Sequence, residues 1–256
     1  MSFVADMFIP GSGSVVTVLV KMYDLCNEMK EGQIACKRLH LRLKDIFDEL
    51  QKMETRGEIP SSDKVAKYVE VVAKYLRYLE QYRSQKLFRR LIKHQAMSGQ
   101  LALIYEEIDM LFRILNLAGT AAMMEWKQQW DIDQQAQQEV MSSLVVNSVE
   151  VLRELQDTRA QLEAMMMLKY EMEQRSDQQT SETMHLMKSM MATVVRASKT
   201  TVAKLPPWFF PSDDIEFEEE PFARGSFGSV HHGVWGSGTK CGEVFPRRRC
   251  DRRWSC

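Results

Sequence analysis

Proline is nearly missing from most of this chain. Between Ser14 and Ala203 it occurs only at Pro60, and glycine only at Gly32, Gly57, Gly99 and Gly119. Both residues interrupt helices, so their scarcity makes helix the reading for that whole stretch. Long apolar runs are missing too: Val15–Val20 is far too short to span a bilayer. The residues before it include no Lys or Arg, which leaves no basic start for a signal peptide. A surplus of one charge is also absent. With 34 basic and 35 acidic residues the net charge is -1, which gives no global attraction to nucleic acid. Five cysteines, unevenly spaced, do not make a disulfide framework. Cys26 and Cys36 fall in helical patterns, where a thiol packs as a small hydrophobe. These features point to a reducing compartment and a cytoplasmic protein with a frayed N-terminus. Methionine, by contrast, is plentiful, with 18 residues including Met165, Met166 and Met167. It suits surfaces that repack.

The apolar residues that are present fall into stripes. Val15, Val18, Leu19, Met22, Leu25, Cys26 and Met29 recur at helical spacing over about 14–30, with Gly32 as a stop or kink. Leu39, Leu43, Ile46, Phe47, Leu50 and Met53 mark a second helix to about Arg56, with Gly57 suited to its C-terminal cap. After the turn through Ile59 and Pro60, Ser61 or Ser62 suits the next N-cap. Val65, Tyr68, Val69, Val72, Leu76 and Leu79 mark the third helix. Leu101, Ile104, Tyr105, Ile108, Leu111, Phe112 and Leu115 mark a fourth, from about Ser98 to Glu125. Four amphipathic helices on short links predict a four-helix bundle over 14–126.

Beyond Trp130 the stripes thin out. Gln134–Glu139 is polar, then Val140, Leu144, Val151, Leu155, Leu162 and Met165 recur near heptad spacing, followed by Met184, Met187, Met191, Val194 and Val195. Such sparse stripes predict brace or coiled-coil helices over 130–204, laid on an existing core. Pro206 and Pro207 end the helical region. The aromatic run Trp208, Phe209, Phe210 is expected to pack on a neighbouring domain. The acids Asp213, Asp214, Glu216, Glu218, Glu219 and Glu220 read as a solvated segment.

Residues 222–230 carry the chemistry. Ala223, Gly225, Ser226, Phe227, Gly228 and Val230 match the pattern G-x-G-x-x-G-x-V at every position but the first, which is Ala223. Gly225 and Gly228 let backbone pass close over phosphates, Phe227 caps the tip, and Val230 is placed to pack over an adenine ring. His231–Trp235 reads as the return strand, with His231 and His232 exposed, and Gly236–Gly238 as a turn.

At these residues, from about Trp208 to Lys240, the chain resembles the start of a protein kinase of the tyrosine-kinase-like group. The resemblance implies an ATP- and magnesium-using kinase in a complete relative. Residues from about Leu19 to Leu117 look like the N-terminal bundle of mixed-lineage kinase domain-like protein and its adaptor-type relatives. That resemblance rests on Cys26–Lys30, Cys36–Leu39, the Ile59–Ser61 turn and Phe88–Ile92. It implies protein partners bound through the bundle and self-association. For the membrane-permeabilising members it also implies contact with anionic membrane. The basic cluster Lys86, Arg89, Arg90 and Lys93 is the candidate lipid-binding site, which would make the protein peripheral to a membrane.

The expected organisation is therefore mainly α. A bundle is followed by braces, then over 205–240 by the truncated start of a kinase domain with a small β-hairpin, then by a disordered tail over 241–256. No catalytic residue, metal or cofactor is assigned within these residues, because phosphoryl transfer also needs a strand-three lysine and two aspartates. Lys240 follows a turn and is not given the lysine's role. Cys241, Cys250 and Cys256 lack zinc-knuckle spacing. Codons for Cys241–Phe245, read one base later, can encode Val-Val-Lys-Cys-Phe. The tail thus reads as an out-of-frame continuation of the missing strand.

Overall fold

The computed structural model describes residues 7–9, 11–58, 61–146, 148–199, 204–205, 209, 211, 215–217, 220–225, 228–235 and 239–241. The chain is mainly helical and divides into two units, Met1–Thr201 and Val202–Cys256.

The first unit opens with a small antiparallel pair, β1 (Phe8–Ile9) and β2 (Gly13–Ser14), joined in register Phe8↔Ser14 and Ile9↔Gly13. Met7 and Ile9 are buried in the helical core, and the Val15 N–H donates to the Met7 carbonyl. Residues 7–9 and 11–14 are therefore built into the fold where a frayed N-terminus was expected, while residues 1–6 and Pro10 lie outside the described residues. Ser14 caps α1 (Val15–Glu28), its hydroxyl accepting from the Thr17 N–H. Helix α2 spans Gln33–Arg56, α3 Ser62–Ser84, α4 Leu87–Ile92 and α5 His94–Ile114. Gly57 ends α2 at φ 74°. There its N–H bonds the Glu54 carbonyl and the Glu58 N–H bonds that of Met53, the arrangement expected of a glycine-terminated helix. Ser61 sits at the N-cap of α3, but through its carbonyl and not its hydroxyl. Ile59 and Pro60 lie outside the described residues.

Helices α1, α2, α3 and α5 surround one core: α1 packs on α2 and α3, and α5 on α3 and α2. Every predicted stripe residue of α1 is buried, as are most of those on the other three; Met53 and Val69 are half-buried. The core is not purely apolar. Tyr68, Tyr75 and Tyr82 recur every seventh residue along α3, and each hydroxyl crosses to the α2 side. Tyr68 donates to the Leu43 carbonyl at 2.9 Å, Tyr75 to the Cys36 carbonyl at 2.6 Å, and Tyr82 to the Glu31 carboxylate. As the donors advance along α3 the acceptors retreat along α2, so the two helices run antiparallel. Three bulky rings are thereby buried without an orphaned hydroxyl.

The fourth core helix ends earlier than the sequence suggests. α5 stops at Ile114, where Asn116 turns left-handed at φ 52° and the Leu117 N–H bonds the Phe112 carbonyl. Asn tolerates that conformation, and the break therefore falls here instead of continuing to Glu125. A new helix, α6 (Thr120–Val146), then runs through Trp130, so the expected boundary at 126–130 falls inside one continuous helix. It packs on α2 and on α9. Helices α7 (Ser148–Glu154), α8 (Thr158–Gln174) and α9 (Ser181–Ser198) follow. α8 pairs with α9, and α4 seats against α5, α7 and α8. Within the predicted outer stripes Val151, Leu155, Met165, Met187 and Val194 are buried, whereas Val140 and Leu162 are exposed. α9 ends at Lys199, itself left-handed at φ 55°. That is before Pro206 and Pro207, which lie outside the described residues. Among the described residues no helix is long and apolar enough to cross a membrane.

The second unit holds short strands. β3 (Ile215–Phe217), β6 (Gly233–Trp235) and β7 (Thr239–Cys241) form one antiparallel sheet in that order. β4 (Ala223–Gly225) and β5 (Gly228–Val230) form a separate antiparallel pair. Trp208, Phe210, Asp213, Asp214, Glu218 and Glu219 lie outside the described residues, as does the expected disordered tail after Cys241. Cys241 itself belongs to β7.

Candidate functional site

The glycine-rich stretch is a two-residue hairpin. Ala223 pairs with Val230, Arg224 with Ser229, and Gly225 with Gly228; the connecting Ser226 and Phe227 lie outside the described residues. Residues directly opposite in an antiparallel pair share a face, and neighbours along a strand alternate. Ala223, Gly225, Gly228 and Val230 therefore fall on one face of the ribbon. Three of those four positions are Gly or Ala, which carry little or no side chain.

The return strand of this hairpin is Gly228–Val230, not His231–Trp235 as the sequence suggested. Gly233–Trp235 instead pairs with Ile215–Phe217, in register Ile215↔Trp235 and Phe217↔Gly233. His232 is exposed, as expected, and its ring lies 4.5 Å from that of Phe222. His231 is buried, contrary to expectation. Lys240 lies in β7, opposite Val234. Thr239–Cys241 thus adds a third strand that the sequence reading did not include. Among the described residues no group of His, Cys, Asp or Glu could hold a metal.

The second candidate, Lys86–Lys93, lies on and beside α4. Lys86 is exposed at its start. The Leu87 and Phe88 N–H groups each donate to the Glu154 carboxylate at 3.0 Å, which caps α4 from α7. Arg89 reaches Glu163 at 3.0 Å. Arg90 is nearly buried: its guanidinium meets the Glu31 carboxylate at 3.1 Å and lies 4.8 Å from the centre of the Tyr82 ring. It also donates to the Gln85 carbonyl at 2.6 Å. Tyr82 shares the same carboxylate, so the α1–α2 corner, the end of α3 and the start of α4 are stapled together. Arg90 is therefore held by the buried Glu31 carboxylate and Arg89 by the exposed one of Glu163, pairings that sequence proximity alone could not reveal.

The buried thiols fit their expected role. Cys26 Sγ lies 3.4 Å from Tyr75 Oη, and burial raises both thiol pKa values. Neither is suited to act as a nucleophile.

A further surface was not foreseen. On α1, Val16, Val20 and Tyr23 are exposed at helical spacing beside the buried stripe, and Leu41 of α2 is exposed next to them. Together with Leu19 and Phe47 they line a mostly apolar groove of about 430 Å³ between the two helices. The signal was present in the sequence: α1 is apolar on more of its circumference than one buried face needs.

No protein-family model, curated protein or solved structure matches this chain.

Proposed function

We propose that the chain joins a helical signalling and interaction region to the glycine-rich, phosphate-covering loop of a protein kinase of the tyrosine-kinase-like group. The observation that carries this reading is the β4–β5 register, which puts Ala223, Gly225, Gly228 and Val230 on one face around a two-residue tip. The three-stranded order β3-β6-β7 suits the opening strands of a kinase N-lobe. On this reading α1, α2, α3 and α5 are a four-helix bundle of the type seen in mixed-lineage kinase domain-like proteins, α6–α9 are its braces, and protein partners bind through the helices.

The ribbon fits one wall of an ATP site. The magnesium-holding and base aspartates that phosphoryl transfer needs are not identifiable among these residues, and no step through magnesium-ATP is assigned to them. The alternative, a membrane-binding bundle, draws little support from α4, where Glu163 and Glu31 hold Arg89 and Arg90.

Sequencing the gene across codons 240–245 and onward tests the kinase reading. The frame one base later should read Val-Val-Lys and continue through a catalytic-loop aspartate and a magnesium-holding aspartate. A protein expressed in that frame should bind ATP, and the 256-residue chain should not. A shifted frame without kinase motifs would overturn the reading.

A further inference from the structure

We infer that the α1–α2 groove is a binding site for a small, neutral, phenol-like molecule: an aromatic body that carries a hydroxyl. The inference rests on the helical unit alone and is independent of the nucleotide-loop reading. A mostly apolar groove of about 430 Å³ with a few polar groups has the size and character of a small-ligand site. Three of the side chains that line it are rings, those of Tyr23, His40 and Phe47. Tyr23 is about half exposed, and its ring lies 5.7 Å from that of His40, so a flat ligand between the helices meets rings already in place.

His40 sets the groove apart from a plain apolar patch. It is only 4% exposed, and its Nδ1 is buried with no hydrogen-bond partner among the described residues. Buried polar atoms are normally paired, so an orphan in the wall of a groove marks a place for a ligand atom. Burial lowers the His40 pKa, and Lys44 lowers it further. The ring is therefore neutral at neutral pH and presents one N–H donor and one bare acceptor nitrogen. A hydroxyl both donates and accepts, so it satisfies the imidazole in either tautomer. The charge of the ligand follows from the rim. Lys44 and Asp48 also line the groove, and they pair with each other at 2.7 Å. A charged ligand would lose water on entering without gaining a free counter-charge, whereas a neutral ring with one hydroxyl loses little.

Titration of the full chain with 2-naphthol, followed by the probe's own fluorescence, tests this against naphthalene, which has the same rings and no hydroxyl. 2-Naphthol should bind saturably and about tenfold more tightly than naphthalene, the worth of one hydrogen bond. Nuclear magnetic resonance shifts should move at Val16, Val20, Tyr23 and Leu41. His40→Phe keeps a ring and removes both nitrogens, and should bring the two probes to equal affinity. Val20→Glu places a carboxylate at an exposed position of the rim. It should weaken both probes while the helical circular dichroism stays unchanged. Equal affinity for the two probes in the native chain, a hydroxyl preference that survives His40→Phe, binding indifferent to Val20→Glu, or shifts clustered elsewhere would overturn the inference. So would loss of probe binding as the chain is concentrated into a sedimenting dimer, which would give the groove to a second copy.

Discussion

The inner helices and the outer helices of the first unit are held by different chemistry. α1, α2, α3 and α5 share a continuous apolar core crossed by the α3 tyrosines, in which Leu43, Tyr68, Tyr75 and Ile108 are fully buried. The contact of α6 with that core is aromatic and ionic. Trp126 lies 4.5 Å from Phe112 and Trp130 lies 4.6 Å from Tyr105. The Arg42 guanidinium sits 4.4 Å from the Trp126 ring and 5.2 Å from the Tyr105 ring, with Asp109 3.9 Å away. Arg38 pairs with Asp133 at 2.8 Å, and His94 meets Gln138 at 2.7 Å. Gly32, at φ 71°, leaves room for Gln137, where a Cβ would come within 3.0 Å of that side chain. Burying apolar surface drives the first set of contacts. The second combines a smaller apolar contact, through Met123, Trp126 and Trp130, with a few matched polar groups, and should give way separately.

The largest effect should come from breaking the inner set. Leu43→Asp or Leu76→Asp puts an unpaired carboxylate in the core and should cost several kcal/mol, enough to unfold the unit. Unchanged thermal melting in both variants would show that the core lies elsewhere. Arg42→Ala removes the cation between two rings and should cost about 2 kcal/mol, most of it from α6. Tryptophan fluorescence should report a changed Trp126 environment while far-ultraviolet circular dichroism keeps the helical signal. Loss of the whole helical signal would deny that the two sets separate. Tyr75→Phe deletes the hydroxyl that satisfies the Cys36 carbonyl and should cost about 1 kcal/mol in denaturant unfolding. A larger loss than that from Arg42→Ala would reverse the ranking.

The smallest effect is pH-dependent. Burial lowers the pKa of His94, with the Gln138 hydrogen bond opposing it in part. The folded state thus binds the proton less readily than the unfolded chain, and stability falls as pH drops below the free imidazole's value of about 6.5 toward the lower folded value. Burial lowers the pKa of His40 as well. His94→Gln should flatten part of the stability-against-pH curve in that window. An unchanged curve would show that His94 does not contribute.

The inner helices were legible in the sequence because their buried faces are nearly all apolar and recur at helical spacing. The buried face of α6 was not, since it runs Met123, Trp130, Asp133, Gln137, Met141 and sets two polar side chains among the apolar ones. Pattern reading scores those polar residues as solvent-facing, and only the positions of Arg38 and Gly32 explain why they are inside. Likewise, the break at Asn116 has its only glycine at Gly119, just before α6, and a single glycine inside an apolar stripe was not taken as a helix end, so the fourth helix was read too long. A hairpin in the glycine-rich stretch was legible. Its strand pairing was not, because His231–Trp235 alternates as well as Gly228–Val230 does. The basic cluster was legible as charge, but its partners Glu31 and Glu163 are remote in sequence and appear only on folding.

Native-state hydrogen exchange on the full chain tests the separation of the two sets most directly. Amides of α6 through α9 should exchange through openings of lower free energy than those of α1, α2, α3 and α5, and Arg42→Ala should lower protection in α6 further while leaving α1 and α3 unchanged. Equal protection across all of these helices, falling together in the variant, would contradict the account.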